Sequence, residues 1–193
     1  MPAPPKVEPP HKLTFATNSV WNTTFAAEGD KFYYEIVTRF WHPHLTKINQ
    51  YDYEARVVNC VAEIESLPKK EVKVRFNMPN AEGEWIRASD FVKTDGSGIP
   101  ESGGTFTAGD GVTYRWKTHK RRFRLVKVDD EDKIPLAEYH PYKRHFFVFR
   151  MSHHAWLEVK PEAAVALEKV IVSYLVVERR RRQAKIRIKL EHK

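Results

Sequence analysis

The chain has 193 residues, enough for one well-filled domain and short for two, and 41% hydrophobic with 12% aromatic residues is the composition of a globular protein. A net charge of +8, on a chain in which 30% of residues are charged, points to a polyanionic partner, either nucleic acid or an anionic membrane surface. The single cysteine, Cys60, excludes an internal disulfide, and neither a signal-peptide run nor a stretch of about 20 apolar residues is present, so a cytosolic protein without a transmembrane segment is expected.

Residues 1–11 hold five of the twelve prolines and read as a disordered or extended arm. From Leu13 onward short β-like runs follow one another: Leu13–Ala16, Lys31–Trp41, Leu45–Ile48, Tyr53–Val58, Val61–Ile64, Glu71–Phe76, Trp85–Ile86 and Phe91–Val92. After a Gly/Ser-rich loop at 95–104 they resume as Thr105–Thr107, Val112–Trp116, Arg122–Val128, Ile134–Tyr139, Arg144–Arg150 and Ala155–Val159. Strands at this spacing point to a barrel or a sandwich. In the run Phe32–Trp41, period-two alternation sends Phe32, Tyr34, Ile36 and Phe40 inward, and places Tyr33, Glu35, Arg39 and Trp41 on the other face with Val37.

The stretch Pro161–Glu178 differs in kind. Between Ala163 and Val177 only Glu168, Lys169 and Ser173 are not apolar, so a helix here needs burial on nearly every side. Its β-branched residues would also suit a buried strand, but its length favours a helix from about Pro161 to Gln183. Pro161 suits the first turn, and the run Arg179 to Arg182 faces the negative end of the helix dipole. A closed sheet rolled around that helix would bury it and leave few strand edges. The domain expected is therefore 12–184, followed by a basic tail at 185–193 that would form a last edge strand or an exposed segment.

The opening Leu13–Thr24, the strand Tyr34–Thr38 and the closing Val170–Arg182 resemble a family found in mushroom-forming fungi. That family is similar to the tubby C-terminal domain, the LURP-one proteins and the phospholipid scramblases. The resemblance, over roughly residues 12–184, implies a closed antiparallel barrel of about twelve strands around a hydrophobic C-terminal helix. The tubby likeness also implies phosphoinositide head groups bound on a basic barrel surface, at the level of fold and not of individual residues.

Two groupings carry candidate chemistry. Lys117, Lys120, Arg121, Arg122, Arg124 and Lys127, interleaved with Trp116 and Phe123, form one basic cluster, and Arg179, Arg180, Arg181 and Arg182 form another. Together they are the expected contacts to phosphates of ribosomal RNA or a phosphoinositide-containing membrane. Tyr33, Glu35, Arg39 and Trp41 supply aromatic faces, a carboxylate and an arginine, the groups that removal of a base from a nucleotide requires. An exterior strand with ordinary cross-strand pairs has the same composition. The first expectation is a polyanion-binding module without turnover; the alternative is a defence toxin acting on ribosomal RNA as an N-glycosidase or nuclease. A scramblase-like or membrane-tethered protein has no lipidation motif behind it.

No cofactor or metal is expected. His42, His44, His140, His145, His153 and His154 lack cysteine partners for zinc, Cys60 reads as an inert thiol among valines, and the glycines at 103–104 and 109–111 read as turns rather than a phosphate cradle.

Overall fold

The computed structural model describes residues 9–27, 32–77, 81–94, 103–109, 111–119, 122–130, 134–143 and 154–191. Twelve antiparallel strands form one sheet. Its first half comprises β1 (His11–Phe15), β2 (Thr23–Ala27), β3 (Tyr33–Thr38), β4 (Leu45–Asp52), β5 (Val57–Glu65), β6 (Lys73–Phe76) and β7 (Ile86–Arg87), each beside the one before it. A short helix, α1 (Ala88–Phe91), leads into the second half: β8 (Gly104–Thr107), β9 (Thr113–His119), β10 (Arg122–Lys127), β11 (Ala137–His140) and β12 (Trp156–Val159). The halves join where β1 pairs with β12, Leu13 opposite Leu157. Every other pair of neighbours is consecutive in the chain.

In its hydrogen-bonded order the sheet is open, with β7 and β8 as the end strands, so closure by strand pairing, as the sequence reading expects, is not what the ladder displays. Between those ends Lys93 and Thr105 of β8 exchange two backbone hydrogen bonds, of 2.9 and 2.8 Å. Gly104 packs here so closely that a Cβ on it would lie 2.6 Å from Val92 Cγ1, which leaves no room for a larger residue.

The inner face of the sheet packs on α3 (Leu167–Glu191), which follows the short α2 (Pro161–Ala164). Every residue from Val170 to Arg179 is buried. Burial of six aliphatic side chains in that span contributes about 1.5–3 kcal/mol each, as an upper estimate. The helix meets strands of both halves. Tyr174 packs against Phe15 of β1, Trp116 of β9 and Tyr139 of β11. Trp116 Nε1 donates to Ser173 Oγ at 2.9 Å, and that hydroxyl donates in turn to Val170 O, so the buried Ser173 hydroxyl is satisfied.

Several expectations need correction. The helix is interrupted at Val165 and Ala166, where Val165 is 83% exposed, and it continues to Glu191 instead of stopping near Gln183. Ala184, Lys185 and Leu190 favour helix, and the basic residues suit its C-terminal end, so the expected tail or edge strand is helical. Phe91 ends α1 rather than sitting in a strand, and β2 has no counterpart among the expected runs. Phe40, expected inward, is 86% exposed, because β3 ends at Thr38 and His42 N turns back to Arg39 O. Tyr34 and Ile36 face inward as expected. Residues 1–8 of the expected arm and the expected strand Arg144–Arg150 lie outside the described residues, and His11 opens β1.

Candidate polyanion-binding face

The β9–β10 hairpin alternates cleanly. Tyr114, Trp116, Phe123 and Leu125 are buried inward, which turns Arg115, Lys117 and His119 on β9, with Arg122 and Arg124 on β10, to the outer face. Cross-strand register sets Lys117 opposite Arg124 and His119 opposite Arg122. The next strand, β11, brings Glu138, whose oxygens accept from Arg122 Nη1 at 2.9 Å and Arg124 Nε at 3.0 Å. The two guanidinium groups hold its carboxyl below the usual range against the opposing effect of burial, which is the largest single influence on it. One carboxylate thus spaces two arginines, which share this surface with Arg115 and Lys117.

Beyond Glu138 the outer face continues across β11, β12 and β1. The His140 ring stacks on Trp156, centroids 4.4 Å apart and planes 7° from parallel, with Lys12 Nζ 5.2 Å from the Trp156 ring centre. Burial keeps the His140 imidazole pushed toward its neutral form, despite Glu138 and Glu158. Trp156 is therefore already covered by His140. This surface offers cations to phosphates more readily than it offers an open ring to a base.

The other expected contacts fare differently. Lys127 has the parity of inward Phe123 and Leu125 and sits in register with Tyr114, so it does not extend the outer row. Lys120 and Arg121 lie outside the described residues. The arginine run turns inward. Arg179 is 5% exposed, donates to Val20 O (2.7 and 3.2 Å) and Thr46 Oγ1 (3.1 Å), and lies 3.8 Å from the Trp21 ring centre. Its burial without a carboxylate partner pushes the guanidinium down to about 9, still charged at neutral pH. Arg180 donates to Val92 O at 2.8 Å, and Arg182 to Asn18 O at 3.0 Å. Arg181 and Arg182 both pair with Glu178, which is 1% exposed, at 2.7 and 2.8 Å. These guanidinium groups satisfy loop carbonyls and a buried acid, so the run fastens the helix into the sheet rather than forming a phosphate contact. The signal was present in the sequence: Glu178 stands three and four positions before Arg181 and Arg182, the spacing of helical ion pairs.

The quartet Tyr33, Glu35, Arg39 and Trp41 is divided. Tyr33 and Glu35 belong to β3, where Glu35 accepts from Asn49 Nδ2 at 3.1 Å and Tyr33 meets the Tyr51 ring edge-on. Arg39 and Trp41 lie in the following loop, with the guanidinium 5.2 Å from the indole centre and Phe40 packed on Trp41. Two pairs result, each satisfied locally. Among the described residues no three His, Cys, Asp or Glu side chains gather as a metal site. His145 and His153 are outside the described residues. Cys60 is half-buried, its thiol pushed up by burial, and it donates to Ala62 O at 3.6 Å. No helix among the described residues is long and apolar enough to cross a membrane.

Residues 18–183 match the model of a family of unknown function, DUF6593. The chain belongs to DUF6593. The match takes in the β9–β10 hairpin, Glu138, Trp156 and the arginine run, and it leaves out β1 and the last two turns of α3. No curated protein and no solved structure matches the chain.

Proposed function

We propose that this DUF6593 chain is a cytosolic, non-catalytic module that docks a phosphate-bearing polyanion on the outer face of β9 and β10. The observation that carries the reading is the register that brings Lys117, Arg122 and Arg124 together beside Arg115, with Glu138 as the carboxylate that spaces them. Surface cations ordered in this way engage phosphates by Coulomb attraction and counterion release, without needing a base or a particular lipid tail. We also read the curled sheet around α3 as a tubby-like barrel whose seam lies between β7 and β8. The contacts of α3 with strands of both halves support this, as does the Lys93–Thr105 bridge. Attack on ribosomal RNA at Glu35 has less behind it, since Glu35 is exposed and bound to Asn49 while Arg39 and Trp41 stand in another element.

The test is titration of purified protein with ribosomal RNA and, separately, with phosphoinositide-containing vesicles over a range of salt. Lys117→Glu with Arg124→Glu should weaken binding to whichever polyanion the native chain holds. Unchanged binding of both by the double variant would overturn the reading.

A further inference from the structure

A cavity of about 320 Å³ opens at the N-terminal end of α3. Phe32, Tyr34 of β3 and Gln50 of β4 form one wall, and the break between α2 and α3 with Leu167, Glu168 and Lys169 forms the other. Its volume is within the range of sites for small molecules. Glu168 and Lys169 are the two charged residues within the apolar stretch of the helix, they adjoin in sequence, and both line this space. Among the described residues neither is ion-paired, with the other or with any third group. Lys169 Nζ instead lies 5.7 Å from the Phe76 ring centre.

Two further observations point to a binding site. Tyr34 is 2% exposed, lines the cavity, and has no hydrogen-bond partner for its hydroxyl among the described residues. α3 begins at Leu167, beside this space, and Val170 N donates to Ala166 O at 3.0 Å across the break. A long helix therefore presents its positive end beside a carboxyl and an ammonium that are not paired with one another.

We infer that this cavity binds a small zwitterion of the α-amino-acid type. The ligand's ammonium meets Glu168, with the ring of Phe32 and the Tyr34 hydroxyl beside it. The ligand's carboxylate meets Lys169 and the positive N-terminal end of α3. Its side chain lies against Ala164, Ala166 and Leu167. A simple amine would leave Lys169 and the helix end opposing it, and a simple carboxylate would leave Glu168 opposing it; only a ligand with both charges answers both. Burial already pushes the Glu168 carboxyl upward, and an ammonium against it would reverse that push.

The experiment is calorimetric titration of the full chain with glycine, leucine and phenylalanine, and with 3-methylbutylamine and 4-methylpentanoate, which carry leucine's side chain with one charge each. At least one amino acid should bind at least about tenfold tighter than either single-charge analogue. Glu168→Gln and Lys169→Met should each weaken that amino acid by about tenfold or more, with circular dichroism unchanged. Lys117→Glu with Arg124→Glu should leave it intact, which separates this site from the polyanion face. Failure of all three amino acids to bind, binding of a single-charge analogue as tight as leucine, or indifference to Glu168→Gln would each overturn the proposal.

Discussion

Glu178→Gln is the most informative substitution in the helix. The carboxylate is 1% exposed and holds Arg181, itself 16% exposed, and Arg182, which is 35% exposed. Removing its charge while keeping its shape leaves the Arg181 guanidinium in low-dielectric surroundings, against Phe123 and beneath the sheet, without a counter-charge. Loss of one partner of a buried pair costs about 3–5 kcal/mol. The Arg182 half adds little, since water screens it and Asn18 O still accepts from it. In a chain of this size each kcal/mol moves the midpoint by about 2–4 °C, so thermal unfolding should fall by about 6–20 °C. Urea denaturation followed by tryptophan fluorescence should give the same loss with an unchanged slope. Glu178→Leu combined with Arg181→Met removes both charges and should recover most of the stability, because well-packed apolar replacements of a buried pair are often neutral or better. A loss below about 1 kcal/mol for Glu178→Gln would refute the argument, for it would mean that the arginines are free to engage solvent and phosphates after all.

Other outcomes follow from the same contacts. Binding of ribosomal RNA or phosphoinositide vesicles should weaken steeply with salt, and Lys117→Glu with Arg124→Glu should flatten the logarithmic slope by about 2, which a filter-binding series would measure. Trp116→Phe deletes the donor to Ser173 together with the pyrrole part of a fully buried indole, and should cost about 2–4 kcal/mol in chemical denaturation; Ser173 still donates to Val170 O, so a loss below about 1 kcal/mol would mean that neither the bond nor the packing matters. Glu168→Gln should raise stability at neutral pH, because burial raises the native carboxyl above its unfolded value. That contribution is at its full value below about 4.5 and is lost as pH rises through the folded value, so the variant's advantage should vanish in acid; a constant difference across pH would count against the burial. Glu35→Gln should leave ribosomal RNA handling unchanged in an aniline-cleavage assay, and loss of a native cleavage product would restore the quartet as a site.

The buried helix was legible because Ala163–Val177 admits no exposed face, and the strands were legible where large apolar residues alternate, as at Tyr34 and Ile36. β2 was not: it is five residues long, Ala26 and Ala27 have little strand preference, and Phe25 is its one large apolar residue. The break at Val165 was invisible for the opposite reason, since nothing in Ala163–Leu167 is a helix breaker. Charge was the hardest feature to read. A run of four arginines reads as a polyanion contact until register shows where the carbonyls of Val20, Val92 and Asn18 lie, and those are set by loops far away in sequence. The cavity pair Glu168–Lys169 stood out in the sequence as an interruption of the apolar run, but only the placement of Phe32, Tyr34 and Gln50 around it turns that interruption into a site.

The order in which the chain supplies its core bears on how it is made. Both halves of the sheet turn their apolar faces toward a helix that follows all twelve strands. Hairpins between consecutive strands can close locally as they leave the ribosome, but β1 must wait for β12 across more than a hundred residues, and every inner face must wait for Val170–Val177. A nascent chain held before residue 167 therefore exposes sticky, unfinished sheet to chaperones and to other copies of itself. Truncations before α3 should be recovered as aggregate, and release of the last helix should be the event that commits the domain to its fold.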